Sequence, residues 1–94
     1  SRKDKLSKVF DLNKIKGGIT IRNRKQGDKI KLASGSKKLK DLFIDLKIPR
    51  EDRCKVPVMV DTEGVIFVGD YKSSENYKVD SQTKEVLKVT FKKL

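Results

Sequence analysis

Alternating apolar and polar residues run through the first third of the chain and predict β-structure. A weak alternation in residues 1–18 ends at a pair of glycines, and we interpret this segment as a linker and possible edge strand. The alternation is clearer over 19–24 and 29–32, which are separated by turn residues. These two runs predict a β-hairpin in which Ile19 and Ile21 face inward and the cationic residues face outward.

The spacing of the apolar residues then becomes that of an amphipathic helix. Residues 34–36 offer turn and N-cap chemistry. Four apolar residues follow at helical spacing, namely Leu39, Leu42, Phe43 and Leu46. We therefore expect a helix over about residues 37–47, with lysines on one flank and Asp41 and Asp45 on the other. The free N–H groups and the lysines at its start predict a phosphate site.

A second, shorter helix is expected directly after the first. Pro49 ends the first helix and suits the first turn of another, so residues 48–54 are interpreted as a helix that presents Arg50 and Arg53. Cys54 is expected to pack inward, and no histidine is present to activate its thiol.

The second half of the chain predicts the central part of a sheet. Residues 56–60 and 65–69 are nearly continuous apolar runs joined by a turn, which is typical of buried strands. A polar loop over 70–85 precedes a final strand over 86–91. The fold class is therefore predicted as α+β, a small and mostly antiparallel sheet with two short helices inserted between hairpins.

The net charge of the chain indicates that this small domain has an anionic partner. The 94 residues include 24 Lys and Arg against 13 Asp and Glu, a net charge of +11. Such a density repels itself in the compact state unless an anion neutralises it. A polyanion is the expected partner, and the alternative is a solvated surface that only aids solubility.

Several kinds of chemistry are excluded by composition. One cysteine and no histidine rule out a disulfide framework and a His/Cys metal site. The carboxylates have no histidine partner and no pattern of a shaped pocket, so we expect no catalytic and no metal-binding residues. The single cysteine fits a reducing cytoplasm, and no apolar run approaches the length of a membrane span or a signal peptide, so we expect a cytoplasmic protein without a membrane partner.

The cationic residues of the predicted hairpin and helices are the candidate binding site. They are expected to form one continuous surface for phosphates, since each neutralised phosphate also releases counterions. The surface comprises Arg22, Arg24, Lys25, Lys29, Lys31, Lys37, Lys38, Lys40, Arg50 and Arg53.

Five short motifs resemble, in order, the C-terminal domain of tRNA(Ile)-lysidine synthetases. They are R-x-R-x-x-G-D-x-I-x-L at 22–32, K-K-L-K-D-L-F at 37–43, I-P-R-x-x-R at 48–53, V-P-V at 56–58 and I-x-V-G at 66–69. The resemblance covers about residues 19–71. Phe67 stands where the family often has Trp, and Asp70, Tyr71 and Lys72 replace an arginine-bearing segment.

This resemblance implies a tRNA-binding role for residues 19–94 as the C-terminal domain of a longer enzyme. Such enzymes use ATP, with Mg, to join lysine to the wobble cytidine of the CAU anticodon of isoleucine tRNA. Their N-terminal catalytic domain carries an S-G-G-x-D-S loop, whereas here Ser34 and Gly35 are followed by Ser36. The implied partners are tRNA(Ile) with its CAU anticodon, contacted on its backbone near the acceptor stem, and the catalytic domain itself. No cofactor is expected in this chain.

Two other roles are compatible with the sequence. The domain could serve to pack on the catalytic part or to form a homodimer. It could also be a general basic module for other RNA.

Overall fold

The computed structural model describes residues 5–92, which contain eight short strands and two short helices. The elements are β1 (Lys5–Asp11), β2 (Thr20–Arg22), β3 (Lys29–Leu32), β4 (Gly35–Lys38), α1 (Leu39–Asp45), α2 (Arg50–Arg53), β5 (Val58–Val60), β6 (Val65–Val68), β7 (Lys72–Ser73) and β8 (Val86–Lys92). Two 3₁₀ turns lie at Leu12–Lys14 and Glu75–Tyr77.

The strands form three antiparallel groups. A central sheet has the order β2-β5-β6-β7, β3 and β4 form a hairpin, and β1 pairs with β8 in a two-stranded ribbon. The two helices follow β4 and precede β5. An antiparallel, sheet-rich α+β domain with two short helices is therefore confirmed.

The predicted hairpin between residues 19–24 and 29–32 is wrong. β2 pairs with β5, with Ile21 opposite Met59, whereas β3 pairs with β4. Ile19 and Ile21 are 41% and 58% exposed instead of facing the core. The physical reason is that alternation identifies a strand but not its partner. Pairing with β5 places β2 at the edge of the central sheet.

The first helix begins later than predicted. Gly35–Lys38 is β4, and the turn before it requires a positive φ, which Gly35 adopts at +124°. Lys38 caps α1 in an extended conformation without a side-chain hydrogen bond. The helix N-terminus predicted at Gly35–Lys38 is therefore wrong, because this segment is extended, and phosphate binding near Lys37 and Lys38 stays a prediction.

Two hydrophobic clusters lie on opposite sides of the central sheet. Successive residues of β5 alternate between them, Val58 facing one cluster and Met59 the other. The first cluster joins the sheet to β3 and α1 and contains Ile30, Leu39, Leu42, Phe43, Ile48, Val56, Val58, Val65 and Val68. The second joins the sheet to the β1–β8 ribbon and contains Phe10, Met59, Ile66, Phe67 and Tyr77. The ribbon and α1 therefore cover different faces of the sheet.

The last strand agrees with its sequence pattern. Leu87, Val89 and Phe91 pack against the second cluster, while Lys88 and Thr90 lie exposed on the outer face of the ribbon.

β1 falls within the segment interpreted as a linker and possible edge strand, of which residues 1–4 lie outside the described residues. The division of the chain at residue 18 stays a prediction. Within residues 5–92 no helix has the length and apolar character needed to cross a bilayer.

Candidate nucleic-acid interface

A cavity of about 540 Å³ lies between the loop after β2, the first turn of α1, and α2. Its lining, which we call the cationic pocket, consists of Asn23, Arg24, Lys40, Arg50, Arg53 and Cys54. Four of these six side chains are cationic and none is acidic. Within residues 5–92, Arg24, Lys40 and Arg50 form no salt bridge. Their charge is therefore available to an external anion.

Asp28 shapes the loop that carries Arg24. Its carboxylate accepts two hydrogen bonds from the Arg22 guanidinium, at 2.9 and 3.1 Å, and a third from the Lys25 backbone N–H at 2.8 Å. Burial acts to raise the pKa of Asp28, but these bonds and the charges of Arg22 and Arg24 outweigh it and lower the pKa. The hydrogen bond to Asp28 in turn raises the pKa of Arg22. Arg22 is therefore compensated within the fold.

The helices position the other cations of the pocket. Lys40 lies on the exposed side of α1, because Leu39, Leu42 and Phe43 occupy the buried side. In α2, the Arg53 Nε donates to the Ile48 carbonyl oxygen at 2.9 Å, which restrains its side chain at the wall of the pocket.

Cys54 lines the pocket and is exposed, so the expectation that it packs inward is wrong. It follows Arg50 by four positions and Arg53 by one, and helical spacing brings positions i, i+3 and i+4 to one face. This spacing is the sequence signal that would have placed Cys54 beside the two arginines. Asn23 has no comparable signal, because it reaches the pocket through the Asp28 loop.

The β3–β4 hairpin presents a second group of cations. Lys29 lies directly opposite Lys38, and Lys31 lies opposite Ser36. Opposed residues of an antiparallel pair point to the same face, and like charges at such a position repel. Ile30, on the other face, is buried. We call the exposed side with Lys29, Lys31 and Lys38 the hairpin face.

Lys37 differs from its neighbours because it belongs to the opposite side of the hairpin. It pairs with Ile30 across the strands and forms an ion pair with Asp45 at the end of α1. Its charge is therefore compensated. The pairing with Asp45 also differs from the four-residue spacing to Asp41 that a continuous helix would have favoured.

The ten candidate residues thus fall into distinct groups. The cationic pocket holds Arg24, Lys40, Arg50 and Arg53, and the hairpin face holds Lys29, Lys31 and Lys38. Lys40 follows Lys38 by two residues, so the groups adjoin at the start of α1. Lys25 is exposed in the Asp28 loop, and Arg22 and Lys37 are held by acids. Two members of the surface expected from sequence are therefore engaged in ion pairs within the fold, and the surface itself stays a prediction.

The fold and the charge distribution define a small basic α+β domain. A family model described as "TilS substrate C-terminal domain" matches residues 19–89, and the chain belongs to this family. A solved structure described as the crystal structure of the TilS C-terminal domain is similar, with a TM-score of 0.75 and 28% identity, covering 92% of this chain and 69% of that one.

Curated relatives bear names from the same family. The chain is 72% identical over 91 residues to the tRNA(Ile)-lysidine synthase of Clostridioides difficile strain 630, covering 97% of this chain and 20% of the relative. It is 44% identical over 89 residues to the enzyme of that name from Clostridium tetani, covering 93% and 19%. A bifunctional protein TilS/HprT from Listeria monocytogenes is 40% identical over 80 residues, covering 82% and 12%. The chain therefore spans about a fifth or less of the length of these relatives.

Proposed function

We propose that this chain is the tRNA-binding domain of a tRNA(Ile)-lysidine synthase and that the cationic pocket and the hairpin face hold phosphates of the tRNA backbone. The observation that carries the proposal is the pocket, where four cations converge without an acidic side chain. The family and the names of the relatives supply tRNA(Ile) as the polyanion.

The contacts are of a kind that positions an RNA rather than reads its sequence. Lys and Arg tips bind phosphate oxygens of any nucleotide. Duplex RNA is bound largely by shape and backbone, whereas splayed bases are usually stacked on aromatic side chains. The pocket and the hairpin face include no aromatic residue. We therefore assign to the domain the backbone of a tRNA stem, and the family resemblance implies that this stem lies near the acceptor end.

The chemistry of the longer protein belongs to another domain in this proposal. ATP, with Mg, would activate the wobble cytidine of the CAU anticodon and lysine would be joined to it in an N-terminal catalytic domain, in the cytoplasm. Holding the tRNA at a distant stem by this chain would raise the effective concentration of the anticodon at that domain.

Salt-dependent binding of a tRNA(Ile) transcript to the 94-residue chain tests the proposal. About five phosphate contacts predict a slope of about −4.5 for log affinity against log salt concentration. The double variant Lys40→Glu/Arg50→Glu should make this salt dependence shallower, reducing the magnitude of the slope by about two units. Because one contact is worth roughly eightfold in affinity at 0.1 M salt, two lost contacts predict a loss of at least about sixtyfold.

The control carries the same charge change on the opposite side of the sheet. Lys88→Glu/Lys92→Glu alters the outer face of the β1–β8 ribbon and should keep most of the affinity and the slope. Equal losses in the two double variants would show that net charge alone drives binding. Equal affinity for an unrelated RNA duplex would favour the general basic module.

Cys54 gives an independent readout because it is the one cysteine in the sequence and lies in the cationic pocket. Saturating tRNA should slow its alkylation by a maleimide, and the effect should disappear at high salt. Unchanged alkylation under conditions of full binding would place the RNA elsewhere.

Ion pairing within the fold predicts different contributions from two neighbouring lysines. Lys40→Ala should weaken tRNA binding roughly eightfold at 0.1 M salt, because its charge is uncompensated. Lys37→Ala should change affinity by no more than about twofold, since Asp45 already neutralises Lys37 and an exposed ion pair contributes little to stability. Matched titrations of the two variants check this, and equal losses would contradict the assignment.

A further inference from the structure

A second cleft, outside the cationic pocket, has the features of a phosphate site. It has a volume of about 320 Å³ and lies between β3, the start of β6, the 3₁₀ turn at Glu75–Tyr77 and the segment that carries Lys14 and Lys16. We propose that this cleft binds a further phosphodiester of the same RNA, through Lys16, Lys29 and Lys31. This inference rests on the proposed function and extends its surface to a segment that sequence patterns did not select.

One wall of the cleft belongs to β3. Lys29 and Lys31 are two positions apart and therefore point to the same face of the strand, away from buried Ile30. Ser36, opposite Lys31 on β4, also lines the cleft and adds a hydroxyl donor. Within residues 5–92 neither lysine forms a salt bridge.

The other wall presents Lys16 from a backbone that is fixed on both sides. Its N–H donates to Asp61 Oδ2 at 2.8 Å, and its carbonyl oxygen accepts from the Thr62 N–H at 3.0 Å and the Thr62 hydroxyl at 2.8 Å. The Lys16 ammonium donates to the Asn13 carbonyl oxygen at 3.2 Å. An ammonium has three donors, so Lys16 keeps donors for an anion while its backbone holds its position.

The charge balance of the cleft is positive and therefore favours an anion. Lys14 also lines the cleft, but its ammonium lies 2.7 Å from an Asp80 carboxylate oxygen and is compensated. Glu63 is the one acidic lining residue, against the three lysines of the proposed site. A phosphodiester carries one negative charge and accepts hydrogen bonds from ammonium and hydroxyl groups, which matches the lining.

Continuity with the cationic pocket identifies the phosphate as part of a polymer. Lys29 is shared by the cleft and the hairpin face, where it opposes Lys38, and Lys40 of the pocket follows Lys38 by two residues. The free cations thus run from α2 across the hairpin to the cleft. Exposed lysines along an open track suit a passing backbone, whereas capture of a small anion favours a buried site with a planar arginine fork.

Single charge reversals on the two walls test the inference with tRNA(Ile) as the probe. Lys16→Glu and Lys31→Glu should each weaken tRNA binding roughly eightfold or more at 0.1 M salt. Each should also reduce the magnitude of the salt slope by about one unit. Lys16→Gln should give a smaller loss of the same sign. Lys88→Glu is the matched control on the outer face of the ribbon, and thermal unfolding of each variant checks that the fold is kept.

Glu63 provides a prediction of opposite sign. Glu63→Gln removes the acid from the cleft and should strengthen tRNA binding, while its backbone bond to Asp61 remains. Inorganic phosphate at micromolar concentration and constant ionic strength should not displace the RNA. Displacement would instead define a site for free phosphate and overturn the proposal.

The outcomes separate this inference from the proposed function. If tRNA fails to bind, or Lys40→Glu/Arg50→Glu binds like the parent, the proposed function fails and the cleft proposal fails with it. If that double variant is weakened while Lys16→Glu and Lys31→Glu behave like Lys88→Glu, the cleft is overturned and Lys31 is removed from the hairpin face, while the cationic pocket stands. Losses at both sites, with protection of Cys54 kept in Lys16→Glu, support two separate phosphate sites on one RNA.

Discussion

Replacing Asp61 by alanine should destabilise the domain by at least about 3 kcal/mol, a large part of the roughly 5–15 kcal/mol that holds a small domain together. Asp61 is 8% exposed and accepts four hydrogen bonds. They come from the N–H groups of Lys16 at 2.8 Å, Glu63 at 2.8 Å and Gly64 at 2.9 Å, and from the Tyr77 hydroxyl at 2.7 Å. Alanine leaves the buried Tyr77 hydroxyl and three partly buried N–H groups without this acceptor, and a buried donor without a partner costs about 1–3 kcal/mol.

The size of this effect follows from what Asp61 connects. It directly follows β5, accepts hydrogen bonds from the turn before β6, and binds both the segment that leads to β2 and the 3₁₀ turn with Tyr77. Burial, and then the hydrogen bond to Asp61, raise the pKa of Tyr77, so its hydroxyl remains a donor at neutral pH. Urea unfolding followed by far-UV circular dichroism measures the loss.

Two variants show whether the effect belongs to the buried network. Tyr77→Phe removes a single donor and should cost about 1–1.5 kcal/mol. Asp45→Ala breaks the exposed ion pair with Lys37 and should cost less than about 1 kcal/mol. A loss in Asp61→Ala no greater than that in Asp45→Ala would contradict the role assigned to Asp61.

The same carboxylate predicts a pH dependence. Burial acts to raise the pKa of Asp61, but the hydrogen bonds from Lys16, Tyr77, Glu63 and Gly64 outweigh it, and the folded-state pKa is lowered. A lowered pKa in the folded state stabilises the protein above the unfolded value of about 3.9, and this stabilisation is lost as pH falls through the folded value. The stability of Asp61→Asn should therefore fall less steeply than that of the parent below about pH 4.

The strands of the core were predictable because the apolar pattern of each sequence matches the number of strand faces that are buried. β5 and β6 are continuous apolar runs buried on both faces, and β8 alternates because one of its faces is solvated. The partner of β2 was not predictable, since Ile19 and Ile21 satisfy the alternation of a strand equally well in any pairing. The Gly-Ser segment before Lys37 was also ambiguous, because the same residue types suit a hairpin turn and a helix N-cap.

The candidate site was predictable in its composition and less so in its geometry. Helical spacing correctly brings Arg50 and Arg53 to one side of α2, and the sign of the charge is clear from composition alone. Which cations are neutralised by acidic side chains was not predictable, because this depends on three-dimensional contacts that a linear pattern does not contain. Arg22 pairs with Asp28 six residues later, and Lys37 pairs with Asp45 because Lys37 lies in β4 and not in the helix that carries Asp45.

Phe67→Ala should cost about 3–5 kcal/mol, because it removes the ring on which the β1–β8 ribbon packs. Phe67 is 1% exposed, stacks on Phe10 with ring centroids 5.7 Å apart and meets the edge of Phe91 at 5.1 Å. Both partners belong to the ribbon, which also keeps Leu87 and Val89 against the same cluster. Denaturant unfolding should show the loss directly, and amide hydrogen exchange in β1 and β8 should increase more than in α1.

Phe43→Ala is the matched control, since it removes the same ring from the first cluster, where α1 packs. It should cost a similar free energy of unfolding but accelerate exchange most in α1. Val86→Ala, at a position 51% exposed on the outer face of the ribbon, should change stability by less than about 0.5 kcal/mol.

If Phe67→Ala and Phe43→Ala gave the same pattern of exchange, the two clusters would unfold as one unit. The sheet would then transmit each cavity to both of its faces, and tRNA affinity would fall in both variants. If the clusters are separable, weakening the ribbon should leave the cationic pocket formed and tRNA binding close to that of the parent.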